Sequence, residues 1–242
     1  MTKIILNGVV KNNIVNLKIE DYLKKINIDI NNFSLDSYED IIYLLSIIHV
    51  KSCEYFFRNK EKDNLLYEEL SFKIDHLFKY YLDLQDYLEQ KEFLSPGEYL
   101  LILNISNFYE LFRKSKYYLN LWFSTDELLD KDSLLIGKVG LRNNNFKINN
   151  YLRGSVVFDL VSLIKNEFNN LDVIKLYKYY KRHNTITFKD ELLLFSLLGI
   201  VEEFKFSKNN YVDTINVRKL TEEVLFILEF MSKEDKENKK TN

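Results

Sequence analysis

Apolar residues recur at steps of three and four along most of this chain, and that spacing predicts helices. Between Asn64 and Phe93 the stripe is Leu66, Leu70, Ile74, Leu77, Tyr81, Leu84 and Leu88, which share one helical face. Before it, Ile41, Leu44, Leu45, Ile48, Cys53 and Phe56 or Phe57 keep the same spacing, behind a start signal at Asp36-x-x-Glu39. His49 sits inside that run, where a histidine is more often a packing or capping residue than a ligand.

Ser95-Pro96-Gly97-Glu98 is the clearest local signal: a serine N-cap, a proline at the first helical position and a glutamate that completes a capping box. A helix is predicted from Pro96 to Ser115, and a second from Tyr117 to Leu129 that carries Trp122, the single tryptophan. Further helices are predicted over Val156–Phe168, Asp172–Arg182, from Thr187-x-x-Asp190 to a stop at Gly199, and over Val217–Met231. Two stretches break the helical pattern. Ile4–Val10 and Ile14–Leu17 are β-prone and suggest a small hairpin, followed by a short helix over Ile19–Ile26. Ser133–Val139 and Phe146–Tyr151 flank Asn143-Asn144-Asn145 and read as a second hairpin.

Composition narrows the classes. Six glycines and one proline in 242 residues are too few for a turn-rich all-β fold. With 46% hydrophobic residues the chain can bury a sizeable core. The net charge of −2 gives no footprint for nucleic acid or an anionic membrane, and none is expected as a partner. Lys178–Arg182 interleaves basic and aromatic residues, but on a helix it reads first as a solvated face. With Cys53 alone there is no intrachain disulfide. Three scattered histidines make a zinc site improbable. No run of 18 apolar residues predicts a transmembrane helix, and the cytoplasm is the default location.

Four stretches carry a family resemblance. Leu45-x-x-Ile48-His49-x-x-Ser52 is similar to an "L-x-x-L-H-x-x-S" helix, and the long helices after it match in order. Leu134–Phe146 falls where a catalytic loop would stand. Gly154-x-x-x-Phe158-Asp159-Leu160 is similar to a "G-D-P-x-x-D-L-A" segment, and YKYYKRHNTITFKDE to the start of a late helix. Together they resemble the C-terminal lobe of the aminoglycoside phosphotransferase and choline kinase-like superfamily, closest to its spore-coat kinase-like branch. The resemblance implies a mainly α protein, α+β by ancestry: a helical bundle with a small β-hairpin around 133–151 and a reduced N-terminal β stub. The resemblance covers roughly Ile41–Phe206; with the residue patterns on either side it gives a stub at 1–35 and a helical domain at 36–232, and the absence of apolar residues in SKEDKENKKTN predicts a disordered tail at 233–242.

The resemblance also implies a site, and the acids it requires are missing. An active member needs an aspartate near the attacking hydroxyl, an asparagine five residues later, and a second aspartate for the main Mg²⁺. Counting back from Asn143, Asn144 and Asn145 reaches Lys138, Val139 and Gly140. Asn149 or Asn150 stands at the second metal position, and an amide oxygen binds Mg²⁺ more weakly than a carboxylate. His49, Asn144, Asn149 and Asp159 are the structural remnants of the motifs. Asp159 would brace the catalytic loop by accepting its backbone N–H groups. No phosphate-cradling glycine motif occurs. The expectation is a non-catalytic, kinase-derived protein that binds a protein partner without cofactor or metal. The alternatives are a phosphotransferase with relocated acids among Glu127, Asp130 and Asp132, and a helical assembly protein unrelated to kinases.

Overall fold

A computed structural model describes residue 24 and residues 26–28, 37–138, 147–207 and 209–241, with side chains at all of these except 137–138, 147–152 and 235–241. Among the described residues the fold is mainly helical with one small antiparallel sheet. The chain divides into two compact units, each made of two separate stretches of the described residues. The N-terminal stub expected over 1–35 falls almost wholly outside the described residues, as does the three-asparagine turn with Asn144.

The first unit takes in the described residues of 3–62 and 125–194. Helix α1 (Tyr38–Lys51) begins at a capping box between Ser37 and Asp40, one residue later than the expected Asp36/Glu39 signal. Asp40 N–H donates to Ser37 Oγ at 3.1 Å and Ser37 N–H donates to Asp40 Oδ2 at 3.2 Å. Ile41, Leu44, Leu45 and Ile48 are buried, as the periodicity predicts. The helix stops at Ser52, so Cys53, Phe56 and Phe57 do not continue it. Strand β1 (Glu54–Phe57) follows instead.

Strands β2 (Leu129–Lys138) and β3 (Lys147–Gly154) form the expected hairpin in longer form. The sheet runs β1-β2-β3, all antiparallel, with Glu54 opposite Asp132 and Leu135 opposite Leu152. An irregularity between Leu135 and Gly137 shifts the β2–β3 register. Leu134, Leu135 and Ile136 are consecutive and all buried, so both faces of β2 are covered; α1 and helix α4 (Val157–Glu167) pack on it. Helix α5 (Val173–His183) packs on α1, and its N-cap Asp172 accepts from Lys175 N–H at 3.0 Å. Helix α6 (Phe188–Leu198) opens with the expected Thr187–Asp190 capping pair: Asp190 N–H donates to Thr187 Oγ1, and Thr187 N–H to Asp190 Oδ2.

The second unit takes in 63–124 and the described residues of 195–242. Helix α2 (Lys60–Glu89) buries Leu70, Ile74, Leu77, Tyr81 and Leu88 of its predicted stripe. Helix α3 is a single run, Pro96–Ser124, where two helices were expected. Nothing at Lys116 breaks it, and that lysine's ammonium lies 2.6 Å from Asp75 of α2. Leu129, assigned by pattern to the second helix, belongs to β2. The Ser95–Glu98 box forms as read: Ser95 N–H donates to Glu98 Oε2 at 2.8 Å. Helix α7 (Asn210–Thr241) starts seven residues before the predicted Val217 and continues past residue 233, where the tail was expected to begin. Gly97 lets α3 approach α7 closely: a Cβ there would lie 3.1 Å from Thr214 N.

Candidate functional site

The residues singled out by sequence converge inside the first unit. His49, on the last turn of α1, has no exposed side-chain surface. Its Nε2 lies 3.1 Å from Asp159 Oδ2, and its Nδ1 lies 2.6 Å from the Tyr180 hydroxyl. Asp159 stands in the first turn of α4, where a negative charge is favoured by the unpaired amides of a helix start. The same Oδ2 accepts Ile136 N–H of β2 at 2.7 Å. One carboxylate oxygen therefore ties α1, α4 and the central strand together.

The donors and acceptors fix a direction. Asn184 Nδ2 donates to the Tyr180 hydroxyl oxygen at 2.6 Å, so the Tyr180 O–H must donate elsewhere. His49 Nδ1 is its acceptor, which puts the imidazole proton on Nε2, facing Asp159. Burial raises the Tyr180 phenol well above its ordinary range, against the Asn184 bond that favours the phenolate; the Asp159 charge adds to the rise. The phenol stays a donor throughout the physiological range. The run from Asn184 through Tyr180 and His49 to Asp159 has each bond oriented by its neighbour.

Two serines extend the brace. Ser52 Oγ accepts Leu134 N–H at 2.9 Å and donates to Ile48 O at 2.7 Å. Ser133 Oγ donates to the His49 carbonyl at 2.9 Å. Arg153, at the end of β3, donates to Ser52 O at 2.8 Å and pairs with Glu54 at 3.1 Å. These bonds satisfy groups that would be costly to bury unpaired, and they lock β2 against the end of α1.

Of the acids proposed as substitutes, Asp130 and Asp132 lie in β2 itself and not in a loop, and both take part in ion pairs. Asp130 meets Lys189 at 2.5 Å. Asp132 lies 3.9 Å from Lys62, and burial raises its carboxyl above the usual range while Lys62 and Arg153 pull it down. Among the described residues no three His, Cys, Asp or Glu side chains gather as a metal site. Of the four remnants, His49 and Asp159 meet; Asn149 is described only by its place in β3, and Asn144 lies outside the described residues.

Tyr180 was missed by pattern. It lies in the KYYKR stretch that reads as a solvated face, yet Tyr177 and Tyr180 are fully buried. Their spacing with Val173 and Leu176 was the available signal. Among the described residues no helix is long and apolar enough to cross a membrane. No family model, curated protein or solved structure matches the chain.

Proposed function

We propose that this chain is a kinase-fold-derived protein that no longer transfers phosphate and acts by binding a protein partner. The observation that carries the reading is the double engagement of Asp159 Oδ2 by His49 and by Ile136 N–H. The acid retained from the motif holds the core together. The positions where a working phosphotransferase keeps its reactive carboxylates are Lys138, Val139 or Gly140, and Asn149 or Asn150. Amides and aliphatic groups do not neutralise a magnesium–triphosphate pair, so the chemistry has lost its electrostatic basis. The near-balanced charge of −2 gives no electrostatic footprint for nucleic acid, which favours a protein partner.

Titrating the full chain with a Mg²⁺–ATP analogue and assaying phosphoryl transfer tests this. The expected result is no transfer and no micromolar nucleotide binding; finding both overturns the reading. A second reading, an enzyme with relocated acids, draws on the half-buried Asp132 and its raised carboxyl. It requires transfer by the native chain that Asp132→Asn abolishes.

A further inference from the structure

Among the described residues β1 is an edge strand, and its outward side has a defined chemistry. Arg58 N–H donates to Leu128 O at 3.0 Å, continuing the β1–β2 register. In an antiparallel ladder hydrogen-bonded positions alternate, so Glu54, Phe56 and Arg58 direct their backbone groups at β2, while Tyr55 and Phe57 direct theirs outward. Among the described residues no strand takes up that outward side. The Tyr55 and Phe57 side chains share one face and are 72% and 83% exposed. Leu129, opposite Phe57, is also exposed. Of the devices that blunt edge strands, Glu54–Phe57 has shortness, at four residues, and flanking charges, but no proline and no bulge in its pairing with β2.

The sequence of the edge is complementary to itself. Turning a second β1 antiparallel about a two-fold axis at Phe56 sets Tyr55 opposite Phe57, twice, and Glu54 opposite Arg58, twice. The outward amides and carbonyls of Tyr55 and Phe57 then meet each other as hydrogen-bonded pairs. The aromatic side chains form cross-strand pairs on one face; on the other, Glu54 and Arg58, which within one copy engage Arg153 and the Thr125 carbonyl, come opposite one another and exchange those partners across the axis. Shifting the register by two residues instead sets Phe56 against Glu54 or against Arg58. We propose that the occupant of this edge is β1 of a second copy of the chain, giving a two-fold dimer with one continuous six-stranded sheet. The pairing does not depend on descent from a kinase, because it uses only the geometry and charge of β1.

Sedimentation velocity on the full chain across a concentration series tests it. The expected species shifts from 29.1 kDa to twice that mass. Glu54→Arg and Arg58→Glu each set like charges opposite one another twice and weaken the dimer at least tenfold; the double exchange restores it. Tyr55→Pro removes an outward N–H without touching the β2 ladder and yields monomer. Phe56→Cys in a Cys53→Ser chain brings two cysteines to a Cα separation of about 4.5 Å, and mild oxidation links the copies. A native chain that is monomeric at every concentration overturns the proposal. So does a double exchange that fails to restore the dimer, or a Phe56→Cys chain that does not cross-link.

Discussion

His49 Nε2 faces Asp159 Oδ2 at 3.1 Å, with both side chains sealed from solvent and the whole of α2 and α3 between them in the chain. The pair joins the end of one helix to the start of another, and the shared oxygen passes the restraint on to β2 through Ile136. A buried link of this kind contributes mainly by what its loss would leave behind.

His49→Ala removes a donor from Asp159 and the acceptor of the Tyr180 hydroxyl at once. The expected cost is about 3 kcal/mol, read as a lower urea midpoint with an unchanged slope. His49→Gln, which keeps an amide donor, should recover part of it. A midpoint for His49→Ala equal to that of the native chain would show that the network contributes nothing to stability.

Ser52→Ala leaves Leu134 N–H buried without its acceptor. We expect a loss of roughly 2 kcal/mol. Ser46, equally buried on the same helix, donates only to the nearby Tyr43 carbonyl, so Ser46→Ala should cost well under half as much. Paired denaturation curves of the two variants make the comparison.

Gly199 is a site where a methyl group does not fit. A Cβ there would lie 2.5 Å from Ser115 Cβ. Gly199→Ala should destabilise the protein by about 1–3 kcal/mol through overpacking. Adding Ser115→Gly clears the clash, although it also gives up the bond from Ser115 Oγ to the Ser196 carbonyl. A double-mutant cycle should therefore show a favourable coupling between the two changes.

Stability should fall on the alkaline side. Burial raises the phenols of Tyr81 and Tyr180 far above the ordinary value, and burial with nearby Asp86 and Glu89 pushes Tyr109 up to about 12. Above pH of about 10 the unfolded chain releases these protons while the folded chain keeps them. The unfolded state then binds fewer protons, so stability is full below that pH and declines as pH rises through the folded values. Tyrosinate absorbance should show a set of tyrosines that ionise only together with the loss of helical circular dichroism. Smooth titration of all tyrosines with helix content intact would contradict this.

The helices were legible because their signals are local. The Leu70–Leu88 stripe and the Ser95–Glu98 and Thr187–Asp190 boxes depend on residues three and four apart, and each forms where it was read. β1 was not legible. Its partner stands beyond α2 and α3, and its own aromatic run continues the spacing of α1, so nothing nearby marks the change from helix to strand. Half of the candidate site could be named in advance. His49 and Asp159 stood out in motifs, but their meeting depends on how α1 and α4 pack around β2. Tyr180 hid among lysines and an arginine that suggested water on all sides, whereas a helix that buries one face keeps its charges on the other. The length of α7 was missed because its last turns carry no apolar residue, and because Tyr211, Val212 and Ile215 of its first turns are exposed and do not extend the buried stripe.

Among the described residues the polypeptide crosses between its two units three times, once within the first turn of α2 and once within α6. Neither unit can be released by trimming this chain from one end, since each draws on two stretches separated by the other unit. Deletion series, the usual first step in mapping what a protein does, would therefore yield unfolded fragments and report every region as essential. Assigning roles here calls for single substitutions in the intact polypeptide.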